Sequence, residues 1–243
     1  RRSAILLGIL IAAYFTCYVF NAFLARVLGD DAYGDFSLLI TIVWLGVPVI
    51  LMGINSSALR FLPIMLANKE KPVAFSRWVR CVVRTSICIT SCFGLLFVVH
   101  LVRFHHPGYL GGHYTGVTAL FILLFAAPAS LLSEIMRCFG KYYLTKFIFE
   151  FGQYALPLVI CIVYYLLFGT FFFEQVMVIL VISYLFIFVF QYYFVRKEGR
   201  RKWSGDNSKD DASEWFKSSV SMMASTFSMY ALASVSMILL GIL

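Results

Sequence analysis

The sequence predicts an all-α, polytopic helical membrane protein. Hydrophobic residues make up 61% of the 243-residue chain and charged residues only 13%, whereas soluble domains are about 45–50% apolar and about 25% charged. Long apolar runs alternate with short polar segments, and a helix that crosses the hydrocarbon needs about 20 apolar residues. A water-soluble fold could not bury this much apolar surface, and the runs are too long for the strands of a membrane barrel.

Seven apolar runs are long enough to be membrane-spanning helices. They cover residues 4–28, 36–62, 79–102, 114–136, 147–168, 175–195 and 215–243. The longest polar stretch follows the sixth run, and a Leu-Gly pair ends both the first run and the seventh. We therefore predict a six-helix transmembrane lobe over 1–195, a cytoplasmic linker over 196–214, and the first helix of a truncated second lobe over 215–243.

The lysines and arginines predict the orientation of the chain. All of them except Arg26 and Arg103 lie at the N-terminus, in the loops after runs 2, 4 and 6, or in the helix ends beside these segments. Cytoplasmic segments of membrane proteins carry this excess of basic residues, so the N-terminus is expected in the cytoplasm and the loop at Asp31 outside. The net charge of +8 thus reflects topology, and no nucleic-acid partner is expected.

Polar residues in the first two runs are candidates for a binding site, because charges within the bilayer are costly and often functional. Arg26 either extends to the interface or lines a cavity near its outer mouth. Arg60 follows Asn55 and Ser57 on an unusually polar stretch. This stretch either anchors the cytoplasmic end of the helix or lines a central cavity, to which Asn21 would then contribute.

Later runs carry further polar residues. Glu150 and Gln153 lie on one face of the fifth helix, either as part of a cavity or with Glu150 paired to Lys146 four residues before it. Glu134 and Arg137, three residues apart, are expected to form an interfacial pair.

Two other groups receive mainly structural interpretations. Arg77, Arg80 and Arg84 form a stripe at the start of the third helix, which suits anionic lipid or, alternatively, a substrate pyrophosphate. The three histidines of the outer loop, residues 105–113, lack a carboxylate or cysteine partner and are expected to be solvated, so no metal site is predicted. No nucleotide-binding or hydrolase motif is present in the sequence, and neither catalytic residues nor cofactors are predicted.

Residues 25–63 carry a recognisable pattern. Arg26 is followed by Leu-Gly, an acidic pair and Tyr-Gly-x-Phe-Ser, and later by a glycine-led stretch of small residues that ends at Arg60-Phe61. This pattern resembles the N-terminal signature of polysaccharide biosynthesis proteins. These are the lipid-linked oligosaccharide flippases of O-antigen, lipopolysaccharide and capsule type, in the multidrug/oligosaccharidyl-lipid/polysaccharide exporter superfamily.

The resemblance implies two six-helix lobes around a cationic central cavity, with Arg26 and Arg60 as the residues here that could supply the charge. It implies export of undecaprenyl-diphosphate-linked oligosaccharide or polysaccharide units across the cytoplasmic (inner) membrane by alternating access. Polymerase and glycosyltransferase machinery are the implied protein partners. Three alternatives stay open: a multidrug cation antiporter of the same fold, a membrane-embedded enzyme, and a non-transporting membrane scaffold, which exposure of the Arg26 and Arg60 faces would favour.

Overall fold

A computed structural model describes residues 2–67, 110–169, 171–202 and 212–242, and every regular element in these ranges is helical. The prediction of an all-α fold is therefore confirmed. The helices are α1 (Arg2–Leu28), α2 (Asp30–Ile50), α3 (Ile54–Ala67), α4 (Leu110–Cys138), α5 (Tyr142–Phe168), α6 (Phe173–Lys202) and α7 (Ala212–Ile242).

Five helical segments in the described ranges are long and apolar enough to cross a membrane. They are Ser3–Leu28, Asp30–Ile50, Ala119–Cys138, Tyr142–Phe168 and Phe173–Gly199. The chain is thus a multi-pass helical membrane protein by the length and composition of its helices. The predicted third helix, 79–102, the arginine stripe at its start and the side chains of the three outer-loop histidines lie outside the described residues.

The predicted second helix, 36–62, is in fact two helices. Residues Met52 and Gly53 have φ angles of 49° and 72°, a left-handed conformation that ends α2 before α3 begins at Ile54. The Gly53 N–H donates to the Pro48 carbonyl at 3.4 Å and the Met52 N–H to the Val49 carbonyl at 3.1 Å. Pro48 lies inside α2, where its missing N–H removes only the bond to the Trp44 carbonyl, so the break itself comes from the left-handed residues Met52 and Gly53.

The predicted linker, 196–214, is largely helical at its two ends. Helix α6 continues to Lys202 and α7 begins at Ala212. Residues 196–202 are mostly Arg, Lys and Glu, which are charged and yet good helix formers. Glu198 also forms an ion pair with Lys141 at 3.6 Å, which joins this last part of α6 to the start of α5.

Helix α4 is the centre of the packing. It contacts α2, α3 and α6, while α1 lies against α2 and α5, and α7 lies against α2 and α3. Ala126, Ala127 and Ala129 on α4 are buried, and small residues of this kind let membrane helices approach closely. The arrangement leaves a space bordered by α1, α2, α4, α5 and α7.

Candidate functional site

Two adjoining cavities lie between these helices. The first, which we call the large chamber, has a volume of about 510 Å³ and is bordered by α1, α2, α5 and α7. The second, the polar chamber, has a volume of about 140 Å³ and is bordered mainly by α4 and α5. Both are lined by Trp44, Lys146, Phe149, Glu150 and Tyr230, so the two chambers share a wall and form one candidate site.

The large chamber combines aromatic and hydrogen-bonding side chains. Its aromatic wall consists of Tyr14, Trp44, Phe149, Tyr154 and Tyr230. Its hydrogen-bonding groups are the side chains of Thr41, Lys146, Glu150 and Gln153. Ligand sites commonly have volumes of about 300–1,000 Å³ and place a few polar groups among apolar and aromatic ones, and this chamber has both properties.

A π-helical turn in α5 carries the central charged residues. The turn covers Lys146–Phe151 and is followed by regular α-helix from Gly152. Such turns shift the register of a helix and are frequent at functional sites. Lys146 and Glu150 form an ion pair within the turn, and their side chains are 24% and 31% exposed. The local pair predicted from the sequence is thus confirmed, and it also lines both chambers.

A second ion pair lies in the wall of the polar chamber. Arg137 Nη1 donates to both carboxylate oxygens of Glu134, at 2.9 Å and 2.7 Å. The predicted pairing of these two residues is confirmed. Because the attraction between opposite charges offsets part of the cost of burying ionised groups, the pairing stabilises these four charged side chains between apolar helices.

Three buried polar atoms around the chambers have no hydrogen-bond partner in the described part of the chain. They are Gln153 Oε1 beside the large chamber, and Asn55 Oδ1 and Arg137 Nε beside the polar chamber. Buried polar atoms are nearly always hydrogen-bonded in folded proteins. These two acceptors and one donor are therefore buried hydrogen-bonding groups beside the chambers whose capacity the described residues leave unused.

Among the residues proposed from the sequence, Asn55, Glu150 and Gln153 line the chambers. Asn21 does not line either chamber; its amide nitrogen donates to the Cys17 carbonyl at 2.8 Å, and its Oδ1 accepts from the Tyr33 hydroxyl at 3.2 Å. Asn21 thus stabilises the contact between α1 and α2.

Ser57 and Arg60 face α7 instead of a chamber. The Ser57 hydroxyl is fully buried, donates to the Ile54 carbonyl at 3.2 Å and accepts from the Ser219 hydroxyl at 2.7 Å. Arg60 is exposed, lies 5.2 Å from the centre of the Phe61 ring and has Nη1 3.5 Å from the Ser218 hydroxyl. The break between α2 and α3 changes the face that these residues present.

Arg26 is also exposed and lines neither chamber. It lies twelve residues beyond Tyr14, the last α1 residue of the large chamber, which corresponds to about 18 Å along the helix. Arg26 and Arg60 therefore contribute no charge to either chamber, and a cationic cavity between two lobes stays a prediction. Among the described lining residues, the charge comes from two cations and two carboxylates.

Sequence reasoning missed Trp44 and Tyr230 as lining residues. An aromatic residue in an apolar run looks the same whether it faces lipid or a cavity, so Trp44 gave no usable signal. Tyr230 was assigned with the rest of α7 to a separate lobe, yet it lines both chambers. The pairs Glu134–Arg137 and Lys146–Glu150 did give a signal through their spacing.

The fold and the site together define a class: a multi-pass helical membrane protein with a polar, aromatic-walled cavity between its helices. Comparison with known proteins takes this no further, since no family model, no curated protein and no solved structure matches the chain.

Proposed function

We propose that the chain belongs to a transporter that flips lipid-linked oligosaccharide or polysaccharide units, attached to undecaprenyl diphosphate, across the cytoplasmic membrane by alternating access. The observation that carries the proposal is the large chamber, in which aromatic rings, an ion pair and the amide of Gln153 surround about 510 Å³ between apolar helices. The resemblance of residues 25–63 to polysaccharide biosynthesis proteins supports the same class.

The chemistry of the chamber suits a saccharide head group. A polar head group must cross about 30 Å of hydrocarbon, and burying its hydroxyl groups without hydrogen bonds would cost several kcal/mol. The chamber offers both hydrogen-bonding groups and aromatic surface, whereas the isoprenoid tail of the substrate can remain in lipid.

The alternatives make different demands on these residues. A cation antiporter needs a carboxylate that is free to bind protons or cations, yet Glu134 and Glu150 each lie against a basic side chain. The exposure of Arg26 and Arg60 favours a scaffold role at those two positions. The chambers favour transport, because a scaffold has no use for a polar cavity within the membrane.

Deletion of the gene that encodes the chain tests the proposal. We expect lipid-linked saccharide to accumulate in the inner leaflet while surface glycan is lost, and expression of the wild-type gene to restore both. The two measurements are extraction of lipid-linked saccharides and quantification of surface glycan. Normal glycan combined with altered sensitivity to cationic drugs would contradict the proposal and support the multidrug antiporter.

The proposed orientation places the N-terminus in the cytoplasm and Asp31 outside. In a variant whose six native cysteines are replaced by alanine, Asp31→Cys should react with a membrane-impermeant maleimide on intact cells. Tyr142→Cys, at the other end of the bundle, should react only after permeabilisation. Both positions are exposed, so a reversed labelling pattern would mean that the topology is inverted.

A further inference from the structure

We propose that the chambers select an uncharged saccharide, whose hydroxyl and acetamido groups bind at Gln153 and Glu150, and that they disfavour saccharides bearing carboxylates. The inference rests on the proposed function, because it specifies the substrate class of the same site. It differs from the expectation of a cationic cavity, and it follows from charge balance, hydrogen-bonding capacity and the aromatic wall.

Charge balance is the first argument. The ionised side chains among the described lining residues are Glu134, Glu150, Arg137 and Lys146, and each carboxylate is paired with a cation. An acidic sugar would have to displace a protein carboxylate from its partner or remain unpaired. An unpaired charge away from water is strongly disfavoured, whereas a neutral sugar leaves both ion pairs intact.

Hydrogen-bonding capacity is the second argument. Gln153 is only 9% exposed and its Oε1 has no partner, and Asn55 Oδ1 is likewise unpartnered in the described part of the chain. Amide oxygens accept hydrogen bonds, and the paired carboxylate of Glu150 keeps lone pairs that can also accept. Sugar hydroxyl and acetamido N–H groups donate to such acceptors, and the sugar oxygens can also accept from Arg137 Nε, which has no partner in the described part of the chain. An ionised sugar carboxylate can accept from that donor but has no proton for the acceptors, so it would leave them unpaired.

The aromatic wall is the third argument. The faces of aromatic rings are electron-rich and their edges are electron-poor. A ring face that borders the chamber would suit the weakly positive C–H groups of a sugar ring and would repel a negative group placed over it. The side chains of Trp44, Tyr154 and Tyr230 all border the large chamber beside the Lys146–Glu150 pair.

Fluorescence of Trp44 in the full-length protein tests the inference. The other three tryptophans are removed by Trp78→Phe, Trp203→Phe and Trp215→Phe, so that emission reports the chamber alone. Three water-soluble probes share a short prenyl diphosphate: one carries a neutral N-acetylhexosamine disaccharide, one carries the same disaccharide with a terminal uronic acid, and one carries no sugar. We expect saturable binding of the neutral probe, about tenfold weaker binding of the acidic probe and no saturable response to the sugar-free probe.

Two matched variants identify the source of the selectivity. Glu150→Gln leaves Lys146 unpaired and should raise the affinity for the acidic probe about tenfold, which removes the preference. Glu198→Gln makes the same change in the Lys141–Glu198 pair, whose residues line neither chamber, and should leave the preference unchanged. Equal or tighter binding of the acidic or sugar-free probe to the parent, or no response to any probe, would overturn the inference.

Transport of full-length lipid-linked saccharides in reconstituted vesicles separates this inference from the proposed function. If the protein moves neutral and acidic substrates at equal rates, the inference fails and the flippase function stands. If it moves neither, the flippase function fails, and the fluorescence titration still decides whether the chamber prefers a neutral sugar.

Discussion

Replacing Gly53 with alanine should detach α7 from the junction between α2 and α3 and abolish transport. An added Cβ would lie 2.1 Å from the Ser219 carbonyl oxygen and 2.8 Å from the Met223 nitrogen. Both are backbone atoms, so rotation of a side chain cannot relieve the clash, and α7 must move. Loss of this contact also displaces Tyr230 from the chambers.

The energetic cost has two parts. Gly53 has a φ of 72°, and a residue with a Cβ pays about 1–2 kcal/mol in that conformation. Overpacking at a close contact typically costs about 1–3 kcal/mol more. The free energy of unfolding should therefore fall by about 2–5 kcal/mol, measured by thermal unfolding in detergent.

Gly169 provides the matched control. Its φ is 69°, and an added Cβ would have no heavy atom within 4 Å, so Gly169→Ala should show only the conformational cost of about 1–2 kcal/mol. A double variant, Ser57→Cys with Ser219→Cys, measures directly whether α7 is packed against α3, because the two native hydroxyl oxygens lie 2.7 Å apart. Disulfide formation should persist with Gly169→Ala and disappear with Gly53→Ala; equal behaviour of the two would show that α7 does not depend on this contact.

The membrane helices could be predicted because apolar composition is a property of each stretch by itself. The break at residues 51–53 was missed because Leu51 and Met52 are as apolar as their neighbours, and only Pro48 and Gly53 mark it. Helix α6 extends past Val195 into the predicted linker for the opposite reason, since the charged residues there form helix as readily as apolar ones. Composition alone therefore predicts which stretches are buried in lipid better than it predicts where each helix ends.

The candidate site could be predicted only in part. Asn55, Glu150 and Gln153 stood out as polar groups in apolar runs, and all three line the chambers. Arg26 and Arg60 stood out for the same reason and lie elsewhere, because the face that a side chain presents depends on helix phase and on the packing of α7. No local pattern could reveal that Tyr230 closes a cavity formed by residues more than 75 positions earlier in the chain.

The contacts of helix α7 bear on the predicted division of the chain into a first lobe of six helices and a second lobe that begins with α7. Its contacts with α2 and α3 run through Gly53, Ser57 and Arg60, and through Tyr230 it contributes to both chambers. A helix that moves relative to the rest of the bundle would therefore alter the chambers directly. The division into two lobes stays a prediction, but α7 is part of the wall of this candidate site.

Replacing Lys146 with glutamate should reduce transport at least about tenfold. The substitution removes the partner of Glu150 and places two carboxylates four residues apart on the π-helical turn, in a partly buried position where like charges repel strongly. Transport is measured as the rate of flipping in reconstituted vesicles, with the amount of inserted protein measured in parallel. Lys141→Glu is the matched control, because it unpairs Glu198 outside both chambers, and it should transport at nearly the wild-type rate.

The charge-swapped double variant, Lys146→Glu with Glu150→Lys, distinguishes the ion pair from the lysine itself. If the pair only keeps the chamber neutral and positions α5, the swap restores the attraction and should recover most of the transport. A glutamate four residues before a lysine is also the more favourable order on a helix, so stability should not limit the result. Failure of the swap with normal folding would show that Lys146 binds the substrate directly at its own position, and the diphosphate would then be the group it binds.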